Sequence, residues 1–415
     1  MVQVPDAQVD VGPAVMLLGA GEPSRELAIA LRHLGAKVIA VDEHADAPAH
    51  GQADQSLVAA ITDADELAKL IRRLRPDFVT ATTDAVAVQA LEGLEAGGSA
   101  DRPTQLVPSA RTLRLTADRE GLRRLAADEL GLPTAPFWFA GSLGELEAVA
   151  AHAGYPLLVK PVVGEGRRGR SLIARPEGVG RAWQRAVDSR PGLEHHRVLA
   201  ERVVEVEFYV TLLAVRSAST DGPIIEFCPP IGHDGAGTAV LESWQPQQLS
   251  TAALDAAKSV AARIVKALGG RGVFGVELMI NGDEVYFVDV SPRPRRSAWV
   301  TLRSQRLSAY ELQARAILGL PVDTMMVSPG AACRIHRGAD WTPAPNPTTL
   351  IGALGVPESD VRVFGRGWAP QPAPDQADAG SQTLGVALAT APDVAAARER
   401  ARQVANRFNV RDSRE

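Results

Sequence analysis

The chain has 415 residues, 46% of them hydrophobic and 22% charged, a globular composition with room for more than one core and no signature of disorder. A formal net charge of -5 and a pI of about 6.0 remove any electrostatic case for nucleic acid or an anionic membrane as partner. The two isolated cysteines, Cys228 and Cys333, make neither a disulfide framework nor a metal site and suit a reducing compartment. Met1 to Pro13 holds acidic residues and no apolar run with a basic lead, so no secretory leader is expected. No stretch reaches the roughly 20 apolar residues of a membrane helix, and the expected setting is the cytoplasm.

In chain order, the first third alternates buried-strand runs with helical segments. Ala14 to Gly19 reads as a strand, Ser24 to Leu34 as a helix and Lys37 to Asp42 as the next strand. Asp65 to Leu74 follows as a helix, Asp77 to Thr82 as a strand, and Leu106 to Pro108 as a short one. Such alternation predicts a parallel sheet with crossover helices. A helix from Asp118 to Leu130 stops at Gly131, with Pro133 beyond it. Pro156 to Pro161 is a strand ahead of a glycine-rich turn. Arg197 to Glu201 precedes a valine-rich strand, Val203 to Val215, and a long helix, Thr251 to Leu268. The strands Val273 to Ile280 and Glu284 to Val290 are joined by Asn281-Gly282, a strong hairpin signal. Past Leu320 the chain reads as a small β-rich domain with a loop at Trp368 to Gly380 and a final helix, Asp393 to Phe408.

Three places carry chemistry. The turn Gly19-Ala20-Gly21-Glu22 could hold an anion at a helix start, but Pro23, Ser24 and Arg25 replace the third glycine of a dinucleotide fingerprint, so a plain tight turn is at least as good a reading. Lys160 ends an apolar strand just before the loop from Gly164 through Gly166 to Gly169, where lysine and backbone N–H groups could hold phosphates. The strand edge from Glu201 to Val204 could offer backbone groups to an adenine ring. Glu277 and Asp289 sit on the two strands of the hairpin, between apolar runs, and could share a face. Carboxylates so placed are costly unless paired or metal-bound, and two of them suit Mg2+. The alternative is a solvent-facing acidic stripe. Arg293, just beyond, could bind a phosphoryl group or form a structural ion pair.

This order of parts resembles the ATP-grasp superfamily, and within it the formate-dependent phosphoribosylglycinamide formyltransferases. The resemblance runs through VMLLGAGE, VIAVDEHADAPA, LTADREGLRRLAADELGLPT, GYPLLVKPV, GH with ESWQPQQ, FGVEL, VSPRP, LGLPV and LGVALATA, nearly the whole length. It implies an α/β architecture: an N-terminal parallel, Rossmann-like domain over 1–117, an ATP-grasp domain over 118–322 and a small C-terminal β-rich domain over 323–415. It further implies ATP and Mg2+ as cofactors, an acyl phosphate made from a small carboxylate (formate in the family), transfer to a small amine, and a homodimer. By resemblance, Arg119 and Lys160 contact ATP phosphates, with Gly166 and Gly169 in the covering loop, and Glu201 and Val204 hold adenine. Glu277 and Asp289 bind Mg2+, Glu22 and Asp84 face the amine, and Arg293 steadies the tetrahedral oxyanion.

The chain also departs from the family's pattern. Where the family has an arginine pair for the substrate's 5′-phosphate, Gln382 and Thr383 stand, losing contacts typically worth about 1.5–3 kcal/mol each. Arg366, in place of lysine, keeps one cation. Arg295-Arg296-Ser297-Ala298 replaces His-Asp-Thr-Gly, so Arg296 stands where an aspartate met the substrate and favours a more acidic ligand. Tyr209 replaces the ribose-binding glutamate, for which Glu207 could substitute. These losses cluster on one substrate, which leads to the expectation of an acyl-phosphate ligase with an exchanged amine acceptor. The alternatives are a genuine formyltransferase of purine synthesis and a non-catalytic nucleotide-binding protein.

Overall fold

The computed structural model describes residues 12–96, 103–162, 169–189, 196–218, 222–234, 242–336, 347–364 and 383–409. The N-terminal strands β1 (Ala14–Leu18), β2 (Lys37–Asp42), β3 (Gln55–Val58), β4 (Phe78–Ala81) and β5 (Gln105–Leu106) form a parallel sheet in the order β3-β2-β1-β4-β5. Successive residues of β1 point to opposite faces, and both faces are covered, which is why the run AVMLL is apolar throughout. Met16 and Leu18 meet α2 (Ala64–Leu74), α3 (Val88–Ala96) and α4 (Ala110–Ala117) through Leu67, Ile71, Leu91 and Leu113. Val15 and Leu17 meet Leu27 and Leu31 of α1 (Glu22–His33).

The next segment was expected as one helix from Asp118 to Leu130. Instead α5 covers Arg119–Arg124 and its continuation widens into a π turn, where Leu130 N–H bonds Leu125 O at 2.9 Å. A four-stranded antiparallel sheet follows, made of β6 (Phe137–Ala140), β7 (Leu157–Pro161), β8 (Ser171–Ile173) and β9 (Val198–Arg202) in the order β6-β9-β7-β8. Helices α6 (Leu143–Ala153) and α7 (Val179–Asp188) cover it with Leu146, Ala150, Val179 and Ala182.

The largest sheet has nine strands. It contains β10 (Phe208–Ser217), β11 (Ile224–Phe227), β12 (Ile231–His233), β13 (Glu242–Gln245), β14 (Gly272–Asn281) and β15 (Glu284–Ser291). It continues through β16 (Gly330–His336), β17 (Ser359–Val363) and β18 (Thr383–Thr390), in the order β15-β14-β10-β12-β13-β16-β18-β17 with β11 on β10. Hydrogen bonding therefore runs without a break from the hairpin into the strands after Leu320. The valine-rich strand expected from Val203 starts only at Phe208. Arg202 N–H still bonds Pro136 O in the small sheet, and Glu207 N–H already bonds Ile280 O in the large one, so 203–206 is the crossing between two ladders. One face of the large sheet packs α5 and α8 (Thr251–Leu268), and the Ser250 side chain caps α8 by accepting from Ala253 N–H.

After the hairpin come α9 (Thr301–Ser304) and α10 (Ala309–Leu318), whose start is closed by a capping box of Ser308 and Glu311. Tyr310 and Leu312 of α10 lie in the core of the large sheet, whereas Ala314 and Ile317 lie in that of β1 and α1. One helix thus belongs to both cores and ties the N-terminal sheet to the hairpin. The chain closes with α11 (Pro347–Leu354) and α12 (Val394–Asn409), which pack on β16 and β18.

Candidate active site

The small sheet contributes a buried charge cluster. Lys160 on β7 and Glu201 on β9 form an ion pair, and Arg123 of α5 pairs with the other oxygen of Glu201. All three side chains are buried. The same Arg123 guanidinium donates to Phe287 O at 3.3 Å and Val288 O at 3.2 Å on β15. Arg119 donates to Pro161 O beside Lys160. Burial works against the Glu201 carboxylate, but Lys160 and Arg123 overcome it and hold the group below the usual glutamate range. Burial also lowers the Lys160 ammonium, and the Glu201 charge only partly offsets this while Arg170 and Arg123 add to it. Glu201 comes down because two cations face it, and Lys160 because burial outweighs its one carboxylate. Gly169 closes this end in a left-handed conformation, φ 74°, where a Cβ would lie 2.5 Å from Ser189 Oγ and 2.7 Å from Pro161 Cγ.

The hairpin contributes the carboxylate pair. Counting back from Asn281-Gly282 with regular pairing would set Glu277 against Val288 and leave Asp289 on the opposite face. A bulge at Val288 shifts the register, so Leu278 pairs with Phe287 and Glu277 pairs with Asp289 directly. Glu277 is buried and accepts from Thr211 Oγ1 at 3.0 Å, with His233 Nε2 3.1 Å from its other oxygen. Asp289 accepts from Val290 N–H and from Arg295, each at 2.9 Å. Every one of these oxygens keeps a second lone pair, so the two carboxylates fit a Mg2+ ion that takes its other ligands from phosphate oxygens and water. When bound, the ion neutralises phosphoryl charge. Tyr209 stacks on His233, ring centroids 6.3 Å apart, and occupies the position next to Met279 in the ladder. Glu207 accepts from Gly282 N–H at 3.2 Å and so faces the hairpin turn. Val204 lies half-buried in the crossing between the sheets.

The N-terminal sheet supplies the third side. Gly19, at φ 96°, passes so close to the loop after β4 that a Cβ would lie 2.9 Å from Thr82 Oγ1. The turn's N–H groups are used internally: Gly19 N–H bonds Val41 O and Ala20 N–H bonds the Asp42 carboxylate at 2.6 Å. The plain tight-turn reading fits this, and the turn delivers Glu22 at the start of α1. Asp84, in the loop after β4, meets Arg293 at 2.7 Å. Burial raises the Asp84 carboxyl, but Arg293 and Arg295 outweigh it and hold it below the usual aspartate range. Glu22 is 2% exposed and lies 3.4 Å from Arg296. There burial prevails over Arg296 and Arg334, and the carboxyl is pushed up.

Lys160, Arg119 and Glu201 thus gather on one wall, Glu277 and Asp289 on the second, and Glu22, Asp84, Arg293 and Arg296 on the third. Gly166, Arg366 and Gln382, and the loop from Trp368 to Gly380, lie outside the described residues. Sequence reasoning passed over Arg123, His233 and Arg334, and gave Arg295 no contact of its own. An arginine on a helix or strand carries no local signal of its partner.

Two family models match the chain: the ribonucleotide synthetase preATP-grasp domain over residues 13–116 and the ATP-grasp domain over residues 125–310. The formate-dependent phosphoribosylglycinamide formyltransferase of Rhodococcus jostii is 44% identical over 394 residues, covering 95% of this chain and 94% of that protein. This chain belongs to that family of ATP-grasp enzymes. The formyltransferase of the same description from Thioalkalivibrio sulfidiphilus is also 44% identical, over 95% of this chain and 96% of its own length. Among solved structures, glycinamide-RNase-transformylase T from Mycobacterium tuberculosis is 61% identical with a TM-score of 0.78, covering 95% of this chain and all of that one. Carboxyaminoimidazole ribonucleotide synthase from Aspergillus clavatus, complexed with ATP, has a TM-score of 0.80 at 21% identity, a likeness of fold alone. As an ATP-grasp enzyme of this family the chain uses ATP and Mg2+ and forms a C–N bond. The alternative of a non-catalytic binding protein therefore gives way, and the expectation of an enzyme stands.

Proposed function

We propose that the enzyme performs formate-dependent formyl transfer to the amine of glycinamide ribonucleotide, with the cleft residues in the roles the resemblance assigns. The observation that carries this reading is Arg293, whose one nitrogen is held by Asp84 at 2.7 Å while the other, Nη1, is buried with no partner among the described residues. A buried guanidinium nitrogen without an acceptor is costly, and it is satisfied by an anionic oxygen arriving in the cleft. A formate oxygen attacks the γ-phosphorus of ATP, the bond to the bridging oxygen breaks and ADP leaves. The amine nitrogen then attacks the formyl carbon, phosphate departs, and one proton is released as the formamide forms. Lys160 and Arg119 neutralise the phosphates during the first step, and Arg293 Nη1 donates to the oxyanion of the second.

What supports this over an exchanged acceptor is the identity of 44% across 95% of the chain with relatives that bear this activity in their name. The replaced residues then become a changed way of holding the same substrate. In this reading the enzyme is a cytoplasmic homodimer, which sedimentation would check. ADP release should require formate and glycinamide ribonucleotide together, with the formate carbon recovered in a formamide by NMR. ADP release independent of formate, or faster turnover with another carboxylate and amine, would sink the assignment.

A further inference from the structure

The junction between α1, the turn after the hairpin and the far half of the large sheet holds a second cluster of arginines and carboxylates. Arg334 on β16 and Arg362 on β17 both pair with Val386 of β18, so all three side chains project from the same sheet face. Ala332, Val386 and Leu388 place that face against Trp299 and Tyr310, towards the catalytic cleft. Arg362 lies 3.9 Å from Glu26 and 2.7 Å from Asp360. Arg334 is 8% exposed, and its Nε is buried without a hydrogen-bond partner among the described residues. It makes no ion pair among the described residues and feels Glu22 and Asp234 only at longer range. Burial and the neighbouring Arg296 both bring the Arg334 guanidinium down.

Two further buried polar atoms lie in this region. The Tyr310 hydroxyl has no partner among the described residues, and its charged surroundings are Glu26, Glu22 and Arg296. Thr383 Oγ1 is likewise without a partner, on the strand next to Arg334, where Thr383 pairs with His336. Arg296 and Arg334 share Glu22 as their buried counter-charge, and Glu22 itself is the group whose charged form burial disfavours. A buried guanidinium nitrogen and a buried hydroxyl left without acceptors are satisfied by a bound anion.

We infer that Arg334, together with Arg296 and the Tyr310 hydroxyl, forms an anion subsite that receives the phosphate of the amine substrate. This rests on the proposed formyl transfer, because it takes the ribonucleotide as the molecule to be held. It also locates the specificity of this chain for a phosphorylated amine on β16.

Arg334→Gln, Arg334→Lys and Arg296→Gln are compared with the parent enzyme using ATP, formate and either glycinamide ribonucleotide or the unphosphorylated riboside. Arg334→Gln should raise KM for the ribonucleotide about 10- to 100-fold, leave KM for ATP and formate in place, and leave the riboside reaction unchanged. Arg334→Lys, which keeps charge and most of the volume, should recover part of the loss, and Arg296→Gln should act in the same direction. An unchanged ribonucleotide KM in Arg334→Gln, or an equal loss with the riboside, overturns the subsite. A separate measurement does not need turnover: inorganic phosphate is titrated into enzyme saturated with Mg2+ and a non-hydrolysable ATP analogue while melting is followed. Phosphate should stabilise the parent and not Arg334→Gln, and no stabilisation of the parent overturns the proposal. Absence of formate-dependent turnover with the ribonucleotide would instead remove the assigned function, leaving the phosphate titration to decide the subsite.

Discussion

Glu201 is a carboxylate with a cation on each oxygen, and its surroundings set both its charge and its worth. A buried pair broken from one side costs more than the pair ever contributed, because the remaining charge stays desolvated. Glu201→Gln would leave Lys160 and Arg123 facing each other across a buried amide. The expected loss in an equilibrium unfolding experiment is about 3–5 kcal/mol. The carboxyl is held below its usual value in the folded protein. Its contribution is therefore complete above the unfolded glutamate value of about 4.3. It disappears as pH falls through the lower folded value. The stability gap between the parent and Glu201→Gln should stay level from about pH 7 to pH 5 and close only below that range. A gap that closes between pH 7 and 6 would mean the carboxylate is not held as described.

At the scale of the element, β15 owes its function to one extra residue. The bulge at Val288 turns Asp289 to the side of Glu277, and Arg123 grips the bulge through Phe287 O and Val288 O. Arg123 thereby links the lysine side of the cleft to the carboxylate side without touching the metal position. Arg123→Gln should weaken Mn2+ binding, read by electron paramagnetic resonance, about 10-fold, the usual scale for an outer support of a metal ligand. Arg123→Lys should recover little, since an ammonium cannot span two carbonyls and a carboxylate as a planar guanidinium does. Unchanged Mn2+ affinity in Arg123→Gln would show that the bulge holds its shape without it.

For the whole molecule, α10 is the joint. Ala314 is fully buried among Val15, Leu17, Leu27 and Leu31, while Tyr310 and Leu312 of the same helix sit in the core of the large sheet. Glu22 and Asp84 reach Arg296 and Arg293 with the N-terminal sheet held by this helix and by the bonds from Arg111 and Thr112 to Leu268 O at the end of α8. Ala314→Leu should overpack the joint, costing about 1–3 kcal/mol in unfolding. It should also lower kcat for formate-dependent ADP release under conditions where the protein remains folded. Loss of stability with full turnover would show that the two halves are positioned by something other than α10. No helix among the described residues is long and apolar enough to cross a membrane.

The local elements were legible because their causes are local. Lys37–Asp42 and Thr251–Leu268 match their apolar patterns residue for residue, and Asn281-Gly282 made its hairpin. The pairing of Lys160 with a glycine loop and of two acids with a hairpin carried the family, and with it ATP and Mg2+. Tertiary structure decided what pattern does not encode. A bulge changes the parity of a strand without changing its composition, so the opposition of Glu277 and Asp289 depended on Val288. The crossing at 203–206 reads like strand because valine favours extended backbone in either sheet. Arg123 acquires its meaning from Glu201, 78 residues away, and Arg334 from Arg296 and Glu22 on other elements. Long-range charge placement is set by which surfaces the cores bring together, and no window along the chain contains it.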